Sequence, residues 1–328
     1  MEKELSNEQK ENTEILSDNK KEEINLDLND LENQINYKYN EKGELVHKKT
    51  GEKVGKLEKD EYEKVGKYVE NYLENYFLEK LNLTVLYIPN NKSTDFSKRD
   101  KNQAQCKILT TKDFPTNPKC LIIIQEAGPV RLGQWARSLC INDNIFIGSM
   151  IPYVQKAVEN NTSVIILNIN MRTDYEDEKK LIEEFYTHEK HSLYVYNNII
   201  KKNKNIKEIY IVAHSVGGDC ALEILFNNIT DLTSGKIKKI AFTDTVHGEE
   251  YEKLGKKGVK IFRNISRNFV CSDKPAGTFL NDCNNIRGIE CYSSGHHRHE
   301  YTSGCAIDEV FKFLKSDSNK GKNNCNIF

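Results

Sequence analysis

The stretch Tyr210-Ile-Val-Ala-His-Ser-Val-Gly-Gly218 reads as a strand, a sharp turn and the start of a helix. An apolar, β-branched run ends in His214-Ser215-Val216-Gly217, and a helical pattern begins directly after it. That order of elements is a nucleophile elbow, in which one serine sits on a strained strand-to-helix turn. Small residues at Ala213 and Gly217 leave the turn room, because larger side chains there would collide across it. Ala213 stands where glycine is usual, so the motif is an A-x-S-x-G variant. The turn places Ser215 at a helix N-terminus, where free N–H groups and the helix dipole favour a developing negative charge. The plainer alternative is a strand-to-helix connection with a capping serine.

Outward from this corner, the chain alternates strand and helix from Cys120 onward. Strands fit 120–125, 163–168, 208–213, 238–243 and 267–271, and helices fit 149–159, 189–203 and 217–227. Near-continuous apolar strands separated by amphipathic helices predict a doubly wound, mostly parallel sheet with helices on both faces. Upstream, residues 83–88 read as a strand, and residues 90–118 as a polar surface loop or insertion. Val65, Tyr68, Val69, Tyr72, Leu73, Tyr76 and Phe77 share one face of a helix, a core face by its apolarity. Residues 37–54 alternate around Asn40-Glu-Lys-Gly43, as a hairpin does. The expected organisation is a disordered charged tail over 1–34 and a hairpin-like extension over 35–58. An α/β domain over 59–315 and a flexible basic tail over 316–328 complete it.

A formal net charge of −1 argues against nucleic-acid binding through bulk charge. No apolar run approaches a membrane span, and the charged first residues form no signal-peptide core. The nine cysteines lack paired spacing and several lie in apolar runs, which suits reduced, buried thiols in an intracellular protein.

A serine nucleophile needs a base to take its proton and an acid to orient that base. On this architecture the chain order is Ser, acid, His, each on a loop after a strand. Asp244 follows one strand end and Asp273 the next, and His296, His297 and His299 share a later loop. Either aspartate also fits a turn or a helix cap. His247 is a competing base or a polar loop residue. His296-His297-x-His299 lacks the spacing of a zinc site, so no metal and no cofactor are assigned. Oxyanion donors are expected at the Val216 amide and at Gly128, in Gln125-Glu-Ala-Gly-Pro-Val-Arg131. Pro129 has no N–H to offer, and Glu126 brings negative charge to the loop.

Val130-Arg-Leu-Gly-Gln-Trp-Ala-Arg-Ser-Leu139, with Ile141-Asn-Asp143, resembles the signature of the argonaute-binding-protein-two domain family. Gly148-Ser-Met-Ile-Pro152, Thr243-Asp-Thr-Val-His247 and Arg298-His-Glu300 extend the resemblance. Tyr39-Asn-Glu-Lys-Gly-Glu-Leu45 is similar to the segment preceding the domain in the animal cotranscriptional-regulator branch. The resemblance implies an α/β-hydrolase fold. It also implies an association with argonaute or small-RNA silencing complexes, heterochromatin and co-transcriptional RNA processing. By position it assigns Ser215, Asp244 and His299 as the family's Ser, Asp and His, which ranks Asp244 above Asp273, the alternative acid by its place after a strand. Gln125-Glu126 stands where family members carry His-Gly. The family loop contributes Arg131, Gly133, Gln134, Trp135 and Arg137. Trp135 reads as a core anchor, and the two arginines as loop-holding groups paired with Glu126 or Asp143.

Cys325-Asn-Ile-Phe328 fits a C-a-a-X prenylation box behind a lysine-bearing tail, so Cys325 is a candidate lipidation site. The expected partners are therefore argonaute or chromatin proteins in cytoplasm or nucleus. A cytosolic membrane face is added if the tail is prenylated. The competing reading is a serine hydrolase acting on an ester, thioester or amide.

Overall fold

The structure, a computed structural model, describes residues 35–245, 249–281 and 288–316. Its centre is an eight-stranded sheet. In chain order the strands are β3 (Leu83–Ile88), β4 (Cys106–Thr111), β5 (Lys119–Ile124), β6 (Ser163–Ile166), β7 (Glu208–His214), β8 (Ile237–Thr243), β9 (Ser266–Val270) and β10 (Glu290–Ser293). Across the sheet the order is β10-β9-β8-β7-β5-β6-β4-β3. The six strands from β10 to β6 run parallel, while β4 is antiparallel to both β6 and β3. This is the strand order of the α/β-hydrolase fold. A preceding hairpin joins β1 (Tyr37–Tyr39) to β2 (Leu45–His47).

Six helices matter for the site: α1 (Lys59–Asn75), α2 (Ile151–Glu159), α3 (His188–Val195), α4 (Gly217–Asn227), α5 (Gly255–Ile265) and α6 (Ile307–Lys315). Alternation along the strands sends neighbouring side chains to opposite faces. Thus Ile122 and Ile124 of β5 join a core layer with α3, α4 and α5. Leu121 and Ile123 join the other layer, with α1, α2 and α6. Both faces are therefore covered, which explains why the central strands are apolar without a break.

The hairpin is tied to the domain rather than hanging from it. Leu45 is fully buried, and the Tyr39 hydroxyl donates to the Cys140 carbonyl at 2.7 Å. The Gly43 carbonyl accepts from the Ile145 amide at 2.8 Å.

Four elements depart from the sequence expectation. The loop expected over 90–118 contains β4, whose Cys106-Lys-Ile-Leu-Thr-Thr111 is too short and mixed to show a clear period. β10 is a four-residue strand whose Glu290 is exposed, and α5 hides its apolar stripe among lysines. The helix expected over 189–203 is instead α3 continued by a π-helical turn, Tyr196–Ile200.

The entry of α4 leaves no space for a side chain. A Cβ at Gly217 would lie 2.7 Å from the Gln125 carbonyl oxygen and 2.9 Å from that of Ile124. Both obstacles are strand-end backbone and cannot rotate away. Gly217→Ala should therefore destabilise the fold by about 1–3 kcal/mol, read as a lower urea midpoint at unchanged slope.

Candidate active-site centre and family membership

Ser215 occupies the corner between β7 and α4 with φ of 53°. Such left-handed backbone at a non-glycine residue is strained and needs neighbours to enforce it. They are present: the Ser215 amide donates to the Thr243 carbonyl, and the Thr245 hydroxyl donates to the Ser215 carbonyl. Thr245 is itself fixed by Asn268, whose side-chain amide donates to the Thr245 carbonyl at 2.9 Å.

Asp244 leaves the end of β8 with φ of 50°, and its carboxylate meets His299 Nδ1 at 2.7 Å. The Cys271 amide and thiol also donate to this carboxylate, at 3.3 and 2.7 Å. Burial raises the Asp244 pKa, but the His299 and Cys271 hydrogen bonds outweigh it and hold the group down at about 2. Asp273 takes no part. It is exposed and pairs with His297 Nδ1 at 3.2 Å. His296 stacks on His297 and Tyr301. His247 and Cys325 lie outside the described residues.

The opposite nitrogen of His299 faces a second carboxylate. Its Nε2 lies 3.4 Å from Glu126 Oε2, on the loop after β5. Hydrogen bonding to Asp244, then to Glu126, lifts the His299 pKa to about 9. Among the described residues, no hydrogen bond links the Ser215 hydroxyl to His299. A serine base must present a bare Nε2 to the hydroxyl; here that nitrogen faces the Glu126 carboxylate, while Nδ1 faces Asp244.

Beneath His299 lies His214, the last residue of β7. The rings stack at 4.7 Å and 27°. His214 is fully buried, its Nδ1 is 2.8 Å from the Thr243 carbonyl oxygen, and its Nε2 is 3.7 Å from Glu126 Oε2. Burial depresses its pKa, with the nearby Glu126 carboxylate opposing the shift. Two groupings of ligand-type side chains result: Glu126 with His214 and His299, and Asp244 with Cys271 and His299.

The oxyanion side is differently occupied. The Gly128 N–H donates to Asn170 Oδ1 at 3.1 Å, so it points away from a reacting oxygen. Asn170 Nδ2 in turn donates to the Glu126 and Val130 carbonyls at 2.9 and 3.0 Å. Asn170 thus clips the whole 126–130 loop. The Val216 amide remains at the start of α4, where Val216 O accepts from Asp219 N.

In the family loop, Gly133 has φ of 82° and packs against the Phe77 ring, where a side chain would clash. Gln134 Oε1 accepts from the Arg131 amide at 3.1 Å. Trp135 is fully buried against Tyr153 and His214. Arg137 pairs with neither expected carboxylate. It binds Glu63 at 2.9 Å and the Tyr62 carbonyl at 3.2 Å, and stacks over the Tyr62 ring. Asp143 pairs with Lys53 instead.

Sequence reading passed over His214 and Asn170 and did not connect Glu126 with His299. Their one signal was position, next to the elbow and at strand ends.

The His299 shift carries a sign. Its pKa rises from 6.5 to about 9, so this contribution to stability is complete below 6.5 and disappears as pH climbs through 9. Asp244 falls from 3.8 to about 2, so its contribution is complete above 3.8 and disappears as pH drops through 2. The pair should therefore support the fold most fully between roughly pH 4 and 6.5. In chelator-treated protein, NMR titration should show the His299 midpoint falling in Glu126→Gln and falling further in Asp244→Asn.

The Arb2 domain family matches residues 27–276. A cotranscriptional regulator ARB2A homolog from Dictyostelium discoideum is 35% identical over 66% of this chain and 64% of that protein. The human cotranscriptional regulator ARB2A is 28% identical over 64% of this chain and 62% of that protein. This chain spans less than two thirds of the length of either relative. Among solved structures, a histone deacetylase from Saccharomyces cerevisiae aligns with a TM-score of 0.47 and 12% identity, over 76% of this chain and 96% of that one. With the family match spanning most of its length, the chain belongs to the Arb2 domain family, built on an α/β-hydrolase fold.

Proposed function

We propose that this protein is an interaction module of the cotranscriptional-regulator type, carrying a hydrolase-like centre that does not perform serine hydrolysis. One observation carries the reading: the Glu126 carboxylate lies 3.4 Å from His299 Nε2, the nitrogen a serine base needs free. The diversion of the Gly128 N–H to Asn170 supports it, since an oxyanion hole requires donors aimed at the developing charge. A cleft of about 510 Å³ runs between α1 and the family loop, past Arg131, Arg137, Asn168 and Asn170, and offers a surface for a partner. The relatives are named as cotranscriptional regulators, so the partners proposed are argonaute, chromatin or RNA-processing proteins, in nucleus and cytoplasm. In this reading residues 59–315 are the module and 35–58 its extension.

A second reading, a serine hydrolase of esters, thioesters or amides, is favoured by the Ser215 turn and the 2.7 Å Asp244–His299 contact. A membrane tether at Cys325 is compatible with either.

Fluorophosphonate labelling separates the two. The module reading expects no labelling of folded wild-type protein, and unchanged partner recovery in a pull-down with Ser215→Ala. Wild-type labelling that vanishes in both Ser215→Ala and His299→Ala would establish the hydrolase instead.

A further inference from the structure

His214 poses a problem that serine chemistry does not solve. The Thr243 carbonyl lies 2.8 Å and the Thr243 hydroxyl 3.2 Å from His214 Nδ1; a carbonyl oxygen only accepts, so the shorter contact assigns the ring proton to Nδ1. Nε2 is then a bare lone pair on a fully buried side chain, with no hydrogen-bond partner. Leaving such an acceptor unsatisfied costs on the order of 1–3 kcal/mol. It points to the same Glu126 oxygen that faces His299 Nε2.

His299 is arranged in the same way. Its Nδ1 is engaged by the Asp244 carboxylate, which directs Nε2 toward Glu126. Both histidines thus have one nitrogen fixed by an oxygen acceptor and the other turned to a common point. That is how metal-ligating histidines are oriented. One ligand atom from each of Glu126, His214 and His299 lies within 4.8 Å of the other two. The two edges to Glu126 measure 3.4 and 3.7 Å. A tetrahedral zinc ion with bonds of about 2.0–2.1 Å sets its ligands roughly 3.3 Å apart, so the two Glu126 edges are already within a few tenths of an ångström of that spacing.

We propose that Glu126, His214 and His299 bind one divalent transition-metal ion, zinc by the chemistry of the donors. Two neutral imidazoles and a carboxylate form the His₂Glu set that suits zinc, and the fourth position is left open. Charge agrees. Asp244 and Glu126 bring two negative charges, which a single imidazolium only half neutralises and a divalent ion matches. The site does not depend on whether Ser215 reacts, and metal binding can be measured without any substrate.

The test is isothermal titration of the chelator-treated full chain with Zn²⁺, together with the visible spectrum of the Co²⁺-loaded protein. Wild type should bind one equivalent and give a tetrahedral Co²⁺ spectrum. Glu126→Gln and His299→Asn should each weaken binding at least tenfold with unchanged circular dichroism. Cys271→Ser, which removes the thiol on Asp244, should leave binding intact. No stoichiometric binding by wild type, or binding indifferent to Glu126→Gln and His299→Asn, would overturn the proposal. Loss of binding in Cys271→Ser would move the ion to the Asp244–Cys271 cluster and overturn the assignment.

Discussion

Helix α4 starts so close to the end of β5 that a methyl group at Gly217 would lie 2.7 Å from the Gln125 carbonyl oxygen. This approach forces two loops onto one small patch of the sheet edge. On one side the chain turns at Ser215, and on the other it continues into Glu126. The next strand closes the arrangement, because a side chain at Gly218 would strike Thr245, whose hydroxyl holds the Ser215 carbonyl. The elbow is therefore clamped from both neighbours. Strain at Ser215 is maintained by packing rather than by the residue itself.

The electrostatics follow from that crowding. Asp244 and Glu126 both face His299, but their surroundings differ. Asp244 is nearly buried and receives the Cys271 amide and thiol besides the imidazole, so its ionised form is well solvated by the protein. Glu126 reaches two histidines, at 3.4 and 3.7 Å, from a loop pinned by Asn170 through its backbone. Asp244 thus orients the ring, as the acid of a triad does, while Glu126 claims the nitrogen that the triad would use. His299 is thus flanked by one carboxylate more than a serine triad uses.

The sequence made the central sheet legible because its strands are buried on both faces and carry long apolar runs. β4, β10 and α5 escaped because short or lysine-interleaved segments have no period strong enough to stand out. At the site, chain order pointed to Ser215, to Asp244 or Asp273, and to the loop of His296, His297 and His299, and the family resemblance singled out Asp244 and His299. Asp244 and Asp273 could not be separated by spacing, since each follows a strand end. Distance separates them, at 2.7 Å from Asp244 to His299 against an exposed Asp273–His297 pair. The grouping of Glu126, His214 and His299 is invisible to any local pattern. Its members come from three separate strand ends or loops, and of the run His296-His297-x-His299 only His299 joins it, while His296 stacks on Tyr301.

The family loop acquires a physical role through the same geometry. Trp135 packs edge-on against both Tyr153 and His214, with ring centroids 5.1 and 6.1 Å away. The Tyr153 hydroxyl donates to the Ser303 carbonyl, and the Ser303 hydroxyl meets Thr243 Oγ1 at 2.7 Å. Thr243 then holds His214 Nδ1 through its carbonyl. A closed circuit of contacts runs from the loop, through α2 and the segment before α6, back to the buried histidine. Gly133 against Phe77, in the π-helical turn that follows α1, and Arg137 against Tyr62 and Glu63 of α1 fasten the loop's other side. A loop so constrained fixes the plane and tautomer of His214 without touching the reacting edge. A specific Gly-Gln-Trp-Ala-Arg sequence can therefore be required for the shape of the centre even though none of its side chains is needed for chemistry there.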